Sequence, residues 1–370
     1  RVFKNSEMSK CEPSVMLDCQ WTRTLWATVP VGLLIVGTFG NILTILVLSR
    51  RRMRAFTTTV YLICLACGDS TFLWLGMGPR ILFQGFDTDV KSESQFLCKI
   101  TNWLPVTAAG FSIWAIVLMT LERVLLTRWP MSAKAKLTRR NTMIAASVVL
   151  GGCVALTSHI PFVAKVDIVT ANGTNGTGVE TIRRCIYAYG KSENFYKRVW
   201  PLIVLVVFNV IPILIILLGN ITIILTIIAQ RRKMRRINPV AHNQQQAVPK
   251  KIKSATKMLF LISAMFMVTT LPFTIGNVVL SQIKPDTLEE NARKHLIYSV
   301  LRTLLYCNFT FNFVLYFVSG SLFKQEWKAM MYEIRTKLVK LVLPQEGPDE
   351  HTVTQSTRRS DLPSSSWGER

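Results

Sequence analysis

Seven long apolar runs divide the chain. They lie at about residues 25–49, 60–83, 100–121, 143–164, 199–229, 258–283 and 296–318. Each run has the roughly 20 residues that an α-helix needs to cross a hydrocarbon core of about 30 Å. Buried strands of soluble proteins also give apolar runs, but those span only about 4–8 residues. Because only a helix satisfies its backbone hydrogen bonds within one such segment, the pattern predicts seven transmembrane helices.

Three alternate loops are strongly basic. Half of the 370 residues are hydrophobic and 18% are charged, and the net charge is +23. The loops 49–59, 122–140 and 230–257 together hold 19 Lys and Arg residues and a single acid, Glu122. The positive-inside rule places these loops in the cytosol and the N-terminus outside the cell. The charge therefore predicts contact with anionic membrane lipids, and not with nucleic acid.

Four regions follow from this pattern. We predict an extracellular segment at 1–24, a seven-helix bundle at 25–319, an amphipathic helix at 320–337 and a disordered tail at 338–370. The amphipathic helix has Phe323, Trp327 and Met331 on one face, which is typical of a helix lying along a membrane surface. The fold class is thus an all-α membrane protein with a short amphipathic cytosolic helix.

The loop between the fourth and fifth runs carries two glycosylation sequons, which begin at Asn172 and Asn175. Such sequons act as acceptors only outside the cytosol, in agreement with the orientation from charge. Cys11 and Cys19 also lie outside, where disulfides persist, and are candidates for a pair.

Five polar residues within the runs form a second pattern. Polar groups at membrane depth are costly and usually functional. Helical rise places the side chains at similar depths, and they are Asn41, Asp69, Ser112, Asn308 and Asn312. One interpretation is scattered hydrogen bonds between helices. The other is a hydrated polar core with a sodium ion at Asp69; we expect no other cofactor and no metal site.

In order along the chain, several motifs resemble those of the rhodopsin-like G-protein-coupled receptors. They are Gly40-Asn41, Leu65-Ala-Cys-Gly-Asp69, Cys98 with Cys185, Glu122-Arg123-Val124, Pro272-Phe273 and Asn312-Phe-Val-Leu-Tyr316. The resemblance covers about residues 25–335. It implies a plasma-membrane receptor without enzymatic activity, and a disulfide between the two cysteines.

The same resemblance implies the cytosolic partners. A heterotrimeric G-protein would couple through Glu122, Arg123 and Tyr316, with Arg123 paired to Glu122 in the inactive state. The Ser- and Thr-rich tail would recruit arrestin after phosphorylation, or serve only as a soluble tail.

Three departures from the family pattern affect activation. Helix four lacks the usual Trp, helix six has Thr269-Thr270-Leu271-Pro272 without the usual aromatic, and Phe313 replaces a proline in helix seven. Without that proline we expect a less kinked helix seven. The departures leave open a receptor-like protein that is constitutively active or signalling-deficient.

The outer halves of the helices offer candidate ligand contacts. Arg80 and Arg302 favour an anionic ligand group, unless both extend to the membrane surface, and Trp103 and Tyr306 are aromatic candidates beside them.

The stretch 54–66 resembles invertebrate neuropeptide receptors, including the FMRFamide-like group, and residues 166–182 are predicted to form a hairpin lid. We therefore expect a neuropeptide ligand, with a small anionic ligand as the alternative. A channel or transporter is disfavoured because no internal repeat is visible.

Overall fold

The structure is a computed structural model that describes residues 16–172, 179–188, 190, 193–237 and 250–342. One compact unit ends at Trp327 and contains the bundle, and a second unit begins at Lys328. Asn172 ends the first strand, whereas Asn175, Cys11 and the predicted tail from 343 onward lie outside the described residues.

The described elements are almost all helical. Those of the first half are α1 (Met16–Leu48), α2 (Thr58–Phe72), a π-helical turn (Leu73–Met77), α3 (Gly78–Phe86), a 3₁₀ turn (Val90–Ser92), α4 (Gln95–Arg128), α5 (Pro130–Lys136), α6 (Arg139–Thr157) and α7 (Ile160–Val163). After them come β1 (Ala164–Asn172), β2 (Val179–Tyr187), a π-helical turn (Phe195–Val199), α8 (Trp200–Leu205), a π-helical turn (Val206–Val210) and α9 (Ile211–Ile237). The last are α10 (Lys250–Gln282), α11 (Leu288–Thr310), α12 (Asn312–Ser319) and α13 (Ser321–Val342).

Six helices of the described residues are long and apolar enough to cross a membrane, and α11 with α12 gives a seventh when the bent pair is counted as one span. Apolar side chains such as Phe39, Leu218 and Val268 point outward, each about 65% exposed. Apolar surface of this extent suits contact with lipid. The prediction of a seven-helix membrane bundle is confirmed.

Two predicted boundaries shift. Helix α1 begins at Met16, so the predicted extracellular segment 1–24 contributes its last residues to that helix. Helix α13 runs from Ser321 to Val342, which is longer than the predicted 320–337.

The strands β1 and β2 form an antiparallel hairpin in which Val166 lies opposite Cys185. A disulfide joins Cys185 to Cys98 in the first turn of α4, with 5.5 Å between the Cα atoms. Gln95 adds two hydrogen bonds to β1, accepting from the Val166 amide at 2.7 Å and donating to the Ala164 carbonyl at 3.4 Å. The hairpin and the disulfide that the sequence predicted are thus both present, and we call this end of the bundle the hairpin end.

An aromatic core near the hairpin end joins α1, α2 and α11. Tyr306 lies between Trp26 and Phe72, with ring centroids at 6.1 and 5.7 Å, and Phe72 packs on Phe309 at 4.1 Å. The Trp26 indole donates to the Ser299 hydroxyl at 3.0 Å. This cluster fixes the seventh span against the first two.

The seventh span is bent by 47° between α11 and α12, so the prediction of a less kinked helix is wrong. The Asn41 amide donates to the Phe309 carbonyl at 3.3 Å, and that carbonyl would accept from Phe313 in a regular helix. Phe311, between the two helices, has φ −91° and ψ 8°. A side chain that enters the backbone hydrogen-bond ladder produces a bend without proline.

Helix α4 and the fifth span approach closely at Gly110. A Cβ atom added at Gly110 would lie 2.6 Å from the Phe208 ring, which is itself buried in the π-helical turn before α9. In contrast, a Cβ atom at Gly151 of α6 would meet nothing within 4 Å.

We expect Gly110→Ala to destabilise the protein by about 1–3 kcal/mol, because the rigid ring must move and separate the two helices. Gly151→Ala is the matched control and should leave stability unchanged or slightly raised, since Ala favours helix. Thermal unfolding of the detergent-purified chain measures both. Equal melting temperatures for the two variants would contradict the contact.

Candidate functional site

A carboxylate lies in the middle of the bundle. Asp69 of α2 is 0% exposed, and its Oδ2 atom accepts a hydrogen bond from Asn312 Nδ2 at 2.5 Å. Asn312 is the first residue of α12, directly after the bend. The contact therefore ties the second span to the seventh at the point where the seventh changes direction.

The other residues of the predicted polar layer are buried as well. Asn41, Ser112 and Asn308 are at most 5% exposed. Three oxygens in this layer have no hydrogen-bond partner in the described part of the chain, namely Asn41 Oδ1, Asp69 Oδ1 and Ser112 Oγ. Buried oxygens without a partner are costly, so they suit a bound cation or water.

The opposite end of the bundle carries Glu122 and Arg123, and we call it the Arg123 end. Glu122 Oε1 accepts from the hydroxyl groups of Thr57 and Thr58, each at 2.7 Å. Arg123 Nη2 donates to the Thr58 hydroxyl at 2.8 Å. We predicted a direct ion pair between Arg123 and Glu122, but in the structure both side chains bind the Thr58 hydroxyl instead. Adjacent residues of a helix point about 100° apart, so their side chains do not face each other.

Tyr316 is 1% exposed near the Arg123 end, and its ring packs on Phe323 with centroids 5.9 Å apart. Sequence reasoning missed Glu326, which is buried in α13 and pairs with Arg50 at 3.0 Å and Arg52 at 3.5 Å. The available signal was charge, because Glu326 is an acid in a helix predicted to lie at the cytosolic surface, the side to which the basic first loop is also assigned.

At the hairpin end, Arg302 of α11 is held by aromatic residues. Its guanidinium lies 4.9 Å from the Tyr298 ring centroid and 5.1 Å from that of Phe273, and Nη2 donates to the Tyr298 hydroxyl. Arg80 and Arg302 both lie within electrostatic reach of Lys91, a loop residue that sequence analysis did not single out.

Lys91 is the most perturbed cation in this group. Its ammonium donates to Asn102 Oδ1 at 3.3 Å. Burial, followed by repulsion from Arg80 and Arg302, lowers the pKa of Lys91 to about 7. The group is therefore partly neutral near physiological pH.

The structure changes the interpretation of the two aromatic candidates. Tyr306 is 0% exposed inside the aromatic core, so it does not line an open site, and its hydroxyl interacts with Arg302. The Trp103 indole donates to the Thr157 hydroxyl of α6 at 3.1 Å, so its described hydrogen bond faces the fourth span and not Arg80 or Arg302.

Comparison with known proteins agrees with this geometry. Residues 40–316 match the sequence model of the 7 transmembrane receptor (rhodopsin family). The chain belongs to the rhodopsin family of seven-transmembrane receptors.

Two distant relatives match most of the chain, and a third matches a shorter part of it. The growth hormone secretagogue receptor type 1 of Sus scrofa is 25% identical over 92% of the chain and 85% of its own length. Neuromedin-U receptor 2 of Mus musculus is 23% identical over 85% of the chain and 76% of its own length. A galanin-like G-protein coupled receptor of Caenorhabditis elegans, npr-9, is 31% identical, but over only 36% of the chain and 30% of its own length.

The shared Thr58 contact generates a prediction about the receptor's basal state. We expect Thr58→Val to raise ligand-independent G-protein activation about fivefold, because a hydroxyl–guanidinium bond worth about 1 kcal/mol no longer restrains Arg123. A nucleotide-exchange assay on membranes with equal receptor amounts measures the change.

Thr59→Val is the matched control. The Thr59 hydroxyl is equally buried but donates to the Met53 carbonyl at 2.8 Å. Equal basal activity in the two variants would show that Thr58 does not restrain Arg123.

Proposed function

We propose that this receptor lies in the plasma membrane, binds an extracellular peptide at the hairpin end and activates heterotrimeric G-proteins at the Arg123 end. The hairpin end is then extracellular, which suits the disulfide and the sequons at Asn172 and Asn175 as glycosylation sites. The C-terminus is cytosolic, and its Ser- and Thr-rich tail is a proposed arrestin contact.

The peptide class rests on the relatives and on the hairpin. The names of the relatives refer to growth hormone secretagogue, galanin-like and neuromedin-U receptors. The β1–β2 hairpin, anchored to α4 by the disulfide and by Gln95, offers an extended edge beside the turn that carries Lys91. Backbone groups of such an edge suit a peptide.

The observation that carries the coupling proposal is the environment of Arg123. A cavity of about 90 Å³ lies beside it, lined by residues that include Leu62, Met258 and Phe323. Arg123 is held there by the neutral hydroxyl of Thr58 rather than by a carboxylate. A ligand that favours outward movement of α10 would widen this cavity and free the guanidinium for a G-protein segment.

The altered helix-six motif favours a second candidate, a receptor with unusual basal activity or none. Thr269 and Thr270 are both buried, and the Thr270 hydroxyl has no partner among the described residues. A small polar side chain replaces a bulky aromatic here, so the packing that resists movement of α10 is weaker.

Expression of the full chain with a panel of G-protein reporters and a neuropeptide library tests the proposal. We expect at least one peptide to activate a reporter at sub-micromolar concentration, and Arg123→Gln to abolish the response without loss of surface receptor. Surface expression with neither a basal nor a peptide response would contradict signalling, and a high basal signal without any peptide response would favour the second candidate.

We further propose a sodium ion at Asp69, supported by the three unpartnered oxygens of the polar layer. Replacing sodium by N-methylglucamine should raise the affinity of an activating peptide about fivefold in the native chain, a typical coupling between sites. Asp69→Asn removes the negative charge and should remove the sodium effect. An equal sodium effect in the variant would place the ion elsewhere.

A further inference from the structure

Three basic side chains from three elements come together at the hairpin end. Arg80 lies on α3, Lys91 on the 3₁₀ turn and Arg302 on α11, and each is half-buried. The charges of Arg80 and Arg302 both act on the Lys91 ammonium. The charge of Arg80 also acts on Tyr298, which lies beside Arg302. We call these three residues the cation cluster.

The cation cluster is built onto the base of the hairpin. Asn102 accepts from Lys91 and donates to the Cys98 carbonyl at 2.8 Å, which fixes the amide beside the disulfide. On the other side of the 3₁₀ turn, the Ser92 hydroxyl accepts from the Cys185 amide at 2.8 Å. The position of Lys91 is therefore set by the same disulfide that anchors the hairpin.

Within the described residues, none of the three members of the cation cluster forms an ion pair within 4.0 Å. The acid next to the turn is Asp89, and its Oδ2 accepts from the Ser92 hydroxyl at 2.6 Å. Like charges that are partly removed from water repel each other strongly, so the arrangement is unfavourable until an anion arrives.

Arg302 has an unused donor in this arrangement. Stacking on Phe273 and Tyr298 fixes the guanidinium plane, and Nη2 is used by the Tyr298 hydroxyl. Its Nε atom is buried without a hydrogen-bond partner among the described residues. A fixed guanidinium with a free N–H suits a planar or tetrahedral oxyanion.

We propose that the cation cluster binds a carboxylate or sulfate group of the ligand, and that Lys91 takes up a proton from solvent when this group binds. This inference rests on the proposed function only in placing the ligand at the hairpin end. The expected ligand group is an acidic group of a peptide. It is a C-terminal carboxylate, an acidic side chain or a sulfated tyrosine.

The proton uptake follows from the charges around Lys91. Its ammonium has a pKa near 7 in the empty receptor, and an oxyanion beside it favours the charged form. A group with that pKa is about 90% charged at pH 6 and about 10% charged at pH 8. Affinity for the anion should therefore fall about tenfold between pH 6 and pH 8.

Other ionisable groups on the elements around Lys91 are accounted for. The 3₁₀ turn and its flanking residues, α3, the first turns of α4, the end of β2 and α11 carry, in addition to Arg80, Asp87, Asp89, Glu93, Lys99, Arg183, Arg184, Tyr187, Glu289, Glu290, Arg293, Lys294, His295, Tyr298, Arg302 and Tyr306. Of these, Arg80, Arg302 and Asp89 act on Lys91. His295 on α11 is a second side chain that changes charge near neutral pH. The variant Lys91→Arg keeps His295 and therefore isolates the contribution of Lys91.

The first experiment uses inorganic sulfate as the probe and needs no signalling. The detergent-purified full chain is unfolded by heat in sodium sulfate and in sodium chloride of equal ionic strength, at pH 6, 7 and 8. Sulfate should stabilise the native chain, and its apparent affinity should be about tenfold higher at pH 6 than at pH 8.

Three substitutions in the cation cluster, with a fourth elsewhere as the control, test which residues bind the sulfate. Lys91→Arg should keep sulfate binding and make it independent of pH, because a guanidinium remains charged throughout. Lys91→Met and Arg302→Gln should each weaken binding about 10- to 100-fold, the usual loss for one charged hydrogen bond. Lys284→Met removes an exposed cation from the loop between α10 and α11 and should change nothing.

Sulfate stabilisation that is absent, or that is equal in all variants, would overturn the proposal. A pH dependence that persists in Lys91→Arg would overturn the role of Lys91. Since no G-protein is present, either failure is distinct from a failure of the proposed function.

The second experiment uses matched peptides in the signalling assay. Each activating peptide is tested as the free acid and as the carboxamide, with Asp and Glu changed to Asn and Gln, and with tyrosine in sulfated and unsulfated form. One of these changes should lower potency in the native receptor about 10- to 100-fold and have a much smaller effect in Arg302→Gln. Potency that is insensitive to every acidic group would overturn the proposal.

Discussion

The buried contact between Asp69 and Asn312 is the constraint on which the rest of the bundle depends. A carboxylate in the centre of a membrane bundle needs a partner, and here the partner is the first side chain of α12. The contact holds α12 at 47° to α11, and the bond from Asn41 to the Phe309 carbonyl prevents the two helices from joining into one. The bend thus depends on side chains from the first and second spans and not on proline.

The bent span links the two ends of the receptor. Helix α11 carries Arg302, which lies within electrostatic reach of Lys91, and α12 carries Tyr316, which packs on Phe323 at the start of α13. A ligand group that pulls on Arg302 therefore acts on the helix whose continuation lies near the Arg123 end. Because Asp69 is the hinge contact, binding at one end can shift the population of states at the other.

The sequence predicted those features that depend on local pattern. The lengths of the apolar runs predicted the membrane spans, and the resemblance to the family predicted the disulfide. The helical rise per residue predicted that the polar side chains lie at similar depths. The bend, the shared Thr58 contact and the burial of Tyr306 were not predictable, because each depends on which side chain of another helix comes into reach. Lys91 was missed for the same reason, since its environment is created by arginines 11 residues before and 211 residues after it in the chain.

A double-mutant cycle on Asp69 and Asn312 tests the central contact most directly. Thermal unfolding of the native chain, Asp69→Asn, Asn312→Leu and the double variant gives the coupling between the two side chains. The hydrogen bond predicts a coupling of about 1–3 kcal/mol, with the double variant losing much less stability than the sum of the single variants. Additive losses would show that the two side chains do not interact, and that another contact holds the bend.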